Sequence, residues 1–392
     1  MFPLDGITVV EVSSLVAGPA MGSLLGELGA DVIKIEQPGI GDPSRTVSPW
    51  GFLNYNLGKK SLSLNLKTKA GQEILHRLIA RKKVDVFLEN MGPDVSSRLG
   101  FSYDSLRRFN PGLIYCSIKG FSSKSRYYEK PAFDAVAQAL SGMMSLTGNS
   151  NGEPVRVGNP SVDLGAAAYG AIQVLCGILE RNKLKKKLGK FVEISLLDMA
   201  VYWNGYWLTY FGMTGKLPKR LGSGHAGYSP HKVFKTRDDQ RVLIATLSDQ
   251  QWKKLSSILD LKLDPSYDEM NYRISHRVET EGAVQEAVLK LDRDELLEKL
   301  SSSVPCAEVR SIDEVYNDVE LRNLGVLMET HNLFDGKNDV VRVALSPNGV
   351  ANKARKKITL LAPKVGQDNE SILKSIGYKK DEIRSFSQSG YL

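Results

Sequence analysis

The stretch Leu4–Arg45, LDGITVVEVSSLVAGPAMGSLLGELGADVIKIEQPGIGDPSR, decides the fold. Ile7–Val12 is a short apolar run that reads as a buried strand. Asp31–Glu36 repeats the pattern. Between them Pro19–Leu28 predicts a helix, with proline in its first turn, where its missing N–H costs nothing. A strand, a helix and a strand in so short a span imply parallel pairing with a right-handed crossover.

The alternation continues outward. Lys67–Lys82 predicts an amphipathic helix with Ile74, Leu75, Leu78 and Ile79 on one face. Val84–Glu89 and Leu113–Ile118 read as strands. Helices are expected over Asp134–Leu146 and Leu164–Arg181, the second rich in Ala and Gly and so suited to close packing. Phe191–Ser195 reads as a strand and Leu196–Phe211 as an aromatic helix. Its Tyr202, Trp203, Tyr206, Trp207 and Tyr210 suit a buried or intersubunit surface. The fold class is therefore α/β, with a doubly wound sheet in a large domain over residues 1–214. Glycines in Gly215–Gly227 mark a boundary. Beyond it, strands at Val233–Lys235 and Val242–Ala245 and helices near Asp249–Leu259, Glu281–Lys290 and Asp292–Ser301 predict a smaller α+β domain, residues 215–325. A C-terminal segment, 326–392, holds further strands and a closing helix near Asn369–Ser375.

Composition narrows the class. The net charge is +8 and the densest basic run is Arg181–Lys190, RNKLKKKLGK. It follows a helical pattern into a glycine, where basic residues suit the helix C-terminus. No nucleic-acid motif accompanies it, so no nucleic-acid partner is expected. No apolar run approaches the roughly 18 residues that cross a bilayer, and no secretory signal is read, so no membrane is expected. Cys116, Cys176 and Cys306 are scattered, with no metal or disulfide spacing. A reducing cytoplasm and no metal site fit them.

Gly18, Gly22, Gly26 and Gly29 follow the first strand, and Glu36 closes the second. A dinucleotide fingerprint needs G-x-G-x-x-G. Glycines four apart instead line one helix face, which close helix packing explains. No P-loop and no G-x-S-x-G elbow is present.

Several segments then occur in order along nearly the whole chain: Leu4–Arg45; LGKKSLSLNLKTKAG, Leu57–Gly71; LENMGPDVSSRLG, Leu88–Gly100; NPGLIYCSIKGF, Asn110–Phe121; FDAVAQALSGMMSLTG, Phe133–Gly148; VDLGAAAYGAIQVLCGILER, Val162–Arg181; VPCAEVRSIDEVYND, Val304–Asp318; and SILKSIGYKKDEI, Ser371–Ile383. Together they resemble the family III CoA-transferases, which include formyl-CoA transferase, carnitine CoA-transferase and α-methylacyl-CoA racemase. The resemblance implies a Rossmann-like large domain built from both chain ends, a smaller inserted domain, and an interlocked homodimer with its active site between subunits. It implies acyl-CoA and a carboxylic acid acceptor as substrates, and no permanently bound cofactor.

The resemblance also assigns roles. Asp163 stands where the family places its nucleophile, just before the long Gly/Ala helix. On the residues alone Asp163 is a helix N-cap, a role compatible with catalysis. Val16 and Ala17 are expected near the pantetheine and Gln37 near the adenine. Leu64, Asn65, Leu66 and Lys67, with Asn90, Met91, Gly92 and Arg98, are expected along the CoA channel. Arg98 is the candidate phosphate contact, since guanidinium suits phosphate; it also reads as an exposed helix arginine. Gly222, Gly224, His225 and Gly227 match an active-site loop, and read equally as a plain interdomain loop. Formyl-CoA transferase carries glutamine at the position of Val16 and arginine at that of Gln37.

The racemases use a histidine placed immediately before an aspartate in the segment matching Ala132-Phe133-Asp134. Phe133 stands there and moves no proton, so transferase is the favoured reading. None of His76, His225, His231, His276 and His331 falls there, although His225 leaves the racemase open as the alternative. A CoA-ester-binding protein without turnover is the second alternative.

Overall fold

The computed structural model describes residues 2–331, 339–343 and 361–392. Six parallel strands form one sheet: β1 (Thr8–Val12), β2 (Asp31–Glu36), β3 (Lys60–Ser63), β4 (Val86–Glu89), β5 (Ile114–Lys119) and β6 (Lys190–Ser195). Their order is β3-β2-β1-β4-β5-β6, so the winding reverses between β1 and β4. Period-two alternation splits the four central strands, β1, β2, β4 and β5, between two cores. Val9, Val32, Val86 and Ile114 pack against Met21, Leu25 and Val174 of the Ala17–Glu27 and Ser161–Lys183 helices. Val10, Ile33, Phe87 and Tyr115 face Ile74, Leu75, Leu78 and Ile79 of the Lys69–Arg81 helix, together with Ile372, Leu373 and Ile383 from the C-terminal helices.

Two of the N-terminal glycines do pack closely. A β-carbon on Gly18 would stand 2.4 Å from Ser13 Cβ and one on Gly22 1.9 Å from Glu11 Oε2, whereas one on Gly26 meets only Val32 at 3.4 Å and Gly29 lies beyond the helix at φ +105°. The Ser161–Lys183 helix corrects one expectation: it is long and apolar enough to cross a membrane. One face packs on the sheet through Val162, Ala166, Val174 and Ile178. The opposite face leaves Tyr169, Ile172 and Leu179 exposed.

Several elements differ from the sequence reading. Strand β3 and the Pro49–Asn56 helix were not expected. The helix expected over Asp134–Leu146 is two, Asp134–Leu140 and Met143–Leu146. Gly142, at φ +84°, separates them. The aromatic helix also divides, into Leu196–Trp203 and Gly205–Thr214. At that break Asn204 donates its side-chain amide to the Ser141 carbonyl at 2.8 Å.

The chain divides into two compact units. One comprises the described residues of 2–143, 157–206 and 319–392; the other comprises 144–156 and 207–318. In the first unit the C-terminal segment closes the exposed edge of β3. Asp368 accepts the Ser61 N–H at 2.9 Å and Asn369 that of Ser63 at 2.8 Å. Leu327–His331 pairs antiparallel with Asp339–Val343; any strand expected in 332–338 or 344–360 lies outside the described residues.

The second unit is an antiparallel sheet of β7 (His231–Lys235), β8 (Arg241–Ala245) and β9 (Cys306–Glu308). Its core joins Phe234, Val242 and Ile244 to Trp252, Leu255, Val284 and Leu296. Residues 144–156, which the sequence reading placed in the large domain, are tied here. Arg220 donates to the carbonyls of Asn149 at 3.3 Å and Gly152 at 2.7 Å.

Candidate active site

A doubly wound sheet offers its crevice at the carboxyl ends of the strands where the winding reverses. Here those ends are Ser13–Ser14 after β1 and Asn90–Met91 after β4. They are locked together: the Ser14 N–H donates to Asn90 Oδ1, and Asn90 Nδ2 donates to the Ser14 carbonyl, both at 2.9 Å. Two cavities open there, of about 330 and about 280 Å³, and share Ser14 and Met91. Val16, Ala17, Asn90, Gly92 and Asp163 line the first. Gln37, Leu64, Asn65, Leu66 and Lys67 line the second. The expected residues, scattered over much of the chain, thus meet along one continuous surface. Arg98 lines neither cavity; it is exposed at the end of the single-turn helix Val95–Arg98. Gly222, Gly224, His225 and Gly227 belong to the second unit. There the Gly227 N–H donates to His225 Nδ1 at 3.1 Å.

A buried ion network makes the floor. Lys34 reaches Glu11 at 3.1 Å and Asp42 at 2.9 Å, and donates to the Ser13 carbonyl at 2.9 Å. Lys59 holds Glu11 at 2.9 Å, and Arg45 holds Glu36 at 2.8 Å. Three cations meet three carboxylates, so the cluster is neutral. Charges this deep persist only when paired. Burial pulls the Lys59 ammonium down to about 8 against the attraction of Glu11. The network also shapes the rim. Leu15 adopts φ +64° beside the cavity, and its N–H donates to Asp42 Oδ1 at 3.2 Å. A second buried pair stands opposite: Lys119 contacts Glu89 at 2.9 Å, donates to the Met91 carbonyl at 2.6 Å, and lines the first cavity.

Asp163 is the third residue of its helix rather than the residue before it, and it is not the cap. Asp134 takes that place. Its Oδ2 accepts the N–H groups of Val162 at 2.8 Å and Asp163 at 3.2 Å, while its Oδ1 accepts from Gln138. The Asp163 side chain is left to the cavity. Burial first, and then the charge of Asp134, push its carboxyl up to about 7. Burial likewise raises the Tyr55 phenol, and the Asp163 charge adds to that.

Phe133 forms part of the first cavity's wall and is 64% exposed. His76 is turned elsewhere, bonded to the Gly100 carbonyl at 2.8 Å and stacked on Phe109. Among the described residues no His, Cys, Asp and Glu group is placed to hold a metal ion. Sequence reasoning missed Asp134 as a cap, because it lies 28 positions from the amide it accepts. It also missed Lys119, Tyr128 and Lys130 on the cavity wall, which carry no motif of their own. A carboxylate of raised basicity beside a helix N-terminus and several polar donors suits nucleophilic attack on an activated acyl group.

Residues 4–369 match the family described as CoA-transferase family III. Succinyl-CoA:glutarate CoA-transferase of Homo sapiens is 32% identical over 392 residues, spanning 95% of this chain and 86% of that one. Formyl-CoA:oxalate CoA-transferase of Escherichia coli O157:H7 is 28% identical over 419 residues, 99% of each chain. The crystal structure of a CAIB/BAIF family protein from Brucella suis superposes with a TM-score of 0.83 at 28% identity, covering 96% of this chain and 99% of that one.

Proposed function

The chain belongs to CoA-transferase family III, and from that premise we propose that it moves CoA between two carboxylic acids through covalent intermediates on Asp163. The observation that carries this is the Asp163 carboxyl itself. It lines the crevice, and its basicity is raised to about 7 by burial and Asp134.

The steps balance without metal or ATP. An Asp163 oxygen attacks the acyl carbon of the donor thioester, forming a mixed anhydride and releasing CoA thiolate. The thiolate attacks the aspartyl carbonyl of that anhydride, leaving an aspartyl-CoA thioester and the free donor acid. The acceptor carboxylate attacks this thioester, forming a second anhydride and freeing the thiolate again. The thiolate then takes the acceptor acyl carbon, and Asp163 returns as a carboxylate. Each tetrahedral intermediate carries an oxyanion. The start of the Ala17–Glu27 helix, at Val16 and Ala17 on the cavity wall, offers orphan amides and the positive end of a dipole.

CoA lies with its adenine by Gln37 and Leu64–Lys67 and its pantetheine past Ser14 and Met91 toward Asp163, a path along the two joined cavities. Lys67 and Arg98 meet its phosphates from the rim. The chain works as an interlocked homodimer in the cytoplasm. The exposed apolar stripe of Tyr169, Ile172 and Leu179, with Tyr202, 79% exposed, lining a cavity beside Tyr169, supports burial against a second copy. The two curated relatives take a dicarboxylate, glutarate or oxalate, so a dicarboxylic acid is the proposed substrate.

The test is mass spectrometry after brief incubation with a panel of acyl-CoAs, with hydroxylamine as trap. A modified peptide containing Asp163 is expected. Turnover without any adduct there, or full exchange activity in Asp163→Ala, would overturn the reading.

A further inference from the structure

Asp134 caps the helix that carries Asp163. An aspartate in the first turn of a helix ordinarily turns back to accept an orphan amide, and the dipole then stabilises its charge. Asp163 occupies that position and does not do so. Pro160 precedes the helix and gives no side-chain cap. Asp134, itself buried and starting the separate Asp134–Leu140 helix, supplies both of its carboxylate oxygens to the junction. One takes Val162 and Asp163 N–H, the other takes Gln138, whose own Oε1 accepts the Val157 N–H at 2.9 Å. Among the described residues none donates a hydrogen bond to the Asp163 carboxylate.

We propose that Asp134 is a positioning residue: by capping the helix that carries Asp163, it keeps the nucleophile from capping that helix itself and holds it free at the cavity wall. This rests on Asp163 being the nucleophile. Two consequences follow from the geometry. The amides that would hold Asp163 back against its own helix are occupied. The dipole that would stabilise the Asp163 charge already faces another anion, so Asp163 stays basic and reactive. The groups facing Asp163 are few. Asp134 comes from the neighbouring helix, and Tyr55 from the Pro49–Asn56 helix. Lys119, Tyr128 and Lys130 line the same cavity, and Glu89 offsets the charge of Lys119. Asp134 is the one anion among them without a cationic partner.

The experiment measures transfer kinetics against pH for wild type, Asp134→Asn and Asp134→Ala, with CoA binding and thermal melts alongside. Asp134→Asn keeps an acceptor oxygen for the cap but loses the charge. Its kcat/KM profile should keep one ionisation, with the midpoint moved down from about 7. Asp134→Ala frees the amides, so Asp163 can turn back onto them. Its midpoint should move further down and kcat fall by about 10–100-fold, while CoA binding changes less than about threefold. Wild-type midpoints in both variants, or a loss in kcat matched by an equal loss of CoA binding and folding, would overturn the proposal. Asp163→Ala separates the two ideas. Activity retained there would remove the nucleophile itself. Activity lost there, with unmoved profiles in the Asp134 variants, would remove only the positioning role.

Discussion

Gly22 faces Glu11 so closely that a β-carbon added to it would stand 1.9 Å from Oε2 of the glutamate. Glu11 is fully buried and gripped by Lys34 and Lys59, so it cannot yield without disturbing both. Gly22→Ala should therefore cost about 1–3 kcal/mol, the range for forced overpacking. Gly26 is the control. A β-carbon there meets only Val32 Cγ2 at 3.4 Å, and Gly26→Ala should be neutral or gain up to about 1 kcal/mol of helix propensity. Thermal unfolding of the two variants reads the contrast. Equal melting temperatures would show that the floor beneath the helix is not rigid.

The same network predicts that Lys34→Met is severe. The substitution leaves Asp42 without its cation and Glu11 with Lys59 alone. Breaking a buried pair from one side costs about 3–5 kcal/mol. Because Asp42 also holds the Leu15 N–H at the cavity rim, CoA binding should weaken along with stability. Calorimetric titration with CoA, at a temperature where the variant is still folded, measures the second effect. Wild-type affinity in the folded variant would separate the network from the rim.

How much of this was legible in the sequence depends on where each residue's partners lie. β1, β2 and β5 announce themselves because their own side chains make both cores. β3, KSLS, did not, since its polar groups are satisfied by distant residues. Ser61 Oγ donates to Glu36 at 2.6 Å, and the Ser61 N–H reaches Asp368, 307 positions away. The residues expected along a CoA channel come from familial segments, and the sheet's winding explains why all of them but Arg98 meet at one crevice. Asp163 was picked out, but its cap reading failed for the same reason β3 was missed: the cap came from another helix. The break after Leu140 had a visible signal in Gly142, overridden by the apolar pattern on either side.

Phe133 bears on the choice between transferase and racemase. It lines the cavity with Asp163 and has no titratable group, and His76 points into a different environment. Moving an α-proton reversibly needs a second acid/base beside the aspartate. Wild type incubated in deuterium oxide with an α-methylacyl-CoA should show no deuterium at the α-carbon by NMR on the timescale of transfer. Wash-in at a rate matching turnover would instead identify a proton-moving partner, with His225 the first residue to substitute.

The last prediction concerns stability, and its sign follows from Asp163. The carboxyl has an ordinary value of 3.8 and is pushed up to about 7 in the folded chain. Between those values the unfolded chain has released the proton and the folded chain still holds it. Folded protein therefore binds more protons, and this group's contribution falls as pH rises through that window. Glu36 and Asp42, both held below the usual range by their hydrogen-bonded cations against the cost of burial, act in the opposite sense, but equally in wild type and in Asp163→Asn. Their effect cancels in the difference. The amide introduced by Asp163→Asn would carry no charge to desolvate and would forfeit no hydrogen bond. This variant should thus melt with wild type near pH 4 and above it at pH 8. Because the side chain is partly open to solvent, the gain should be only on the order of 1 kcal/mol, or about 1–2 °C for a chain of this length. Melting curves of both proteins across that range measure it. A difference that stays flat with pH would mean that the folded chain does not raise Asp163, and that its reactivity must come from the bound substrate instead.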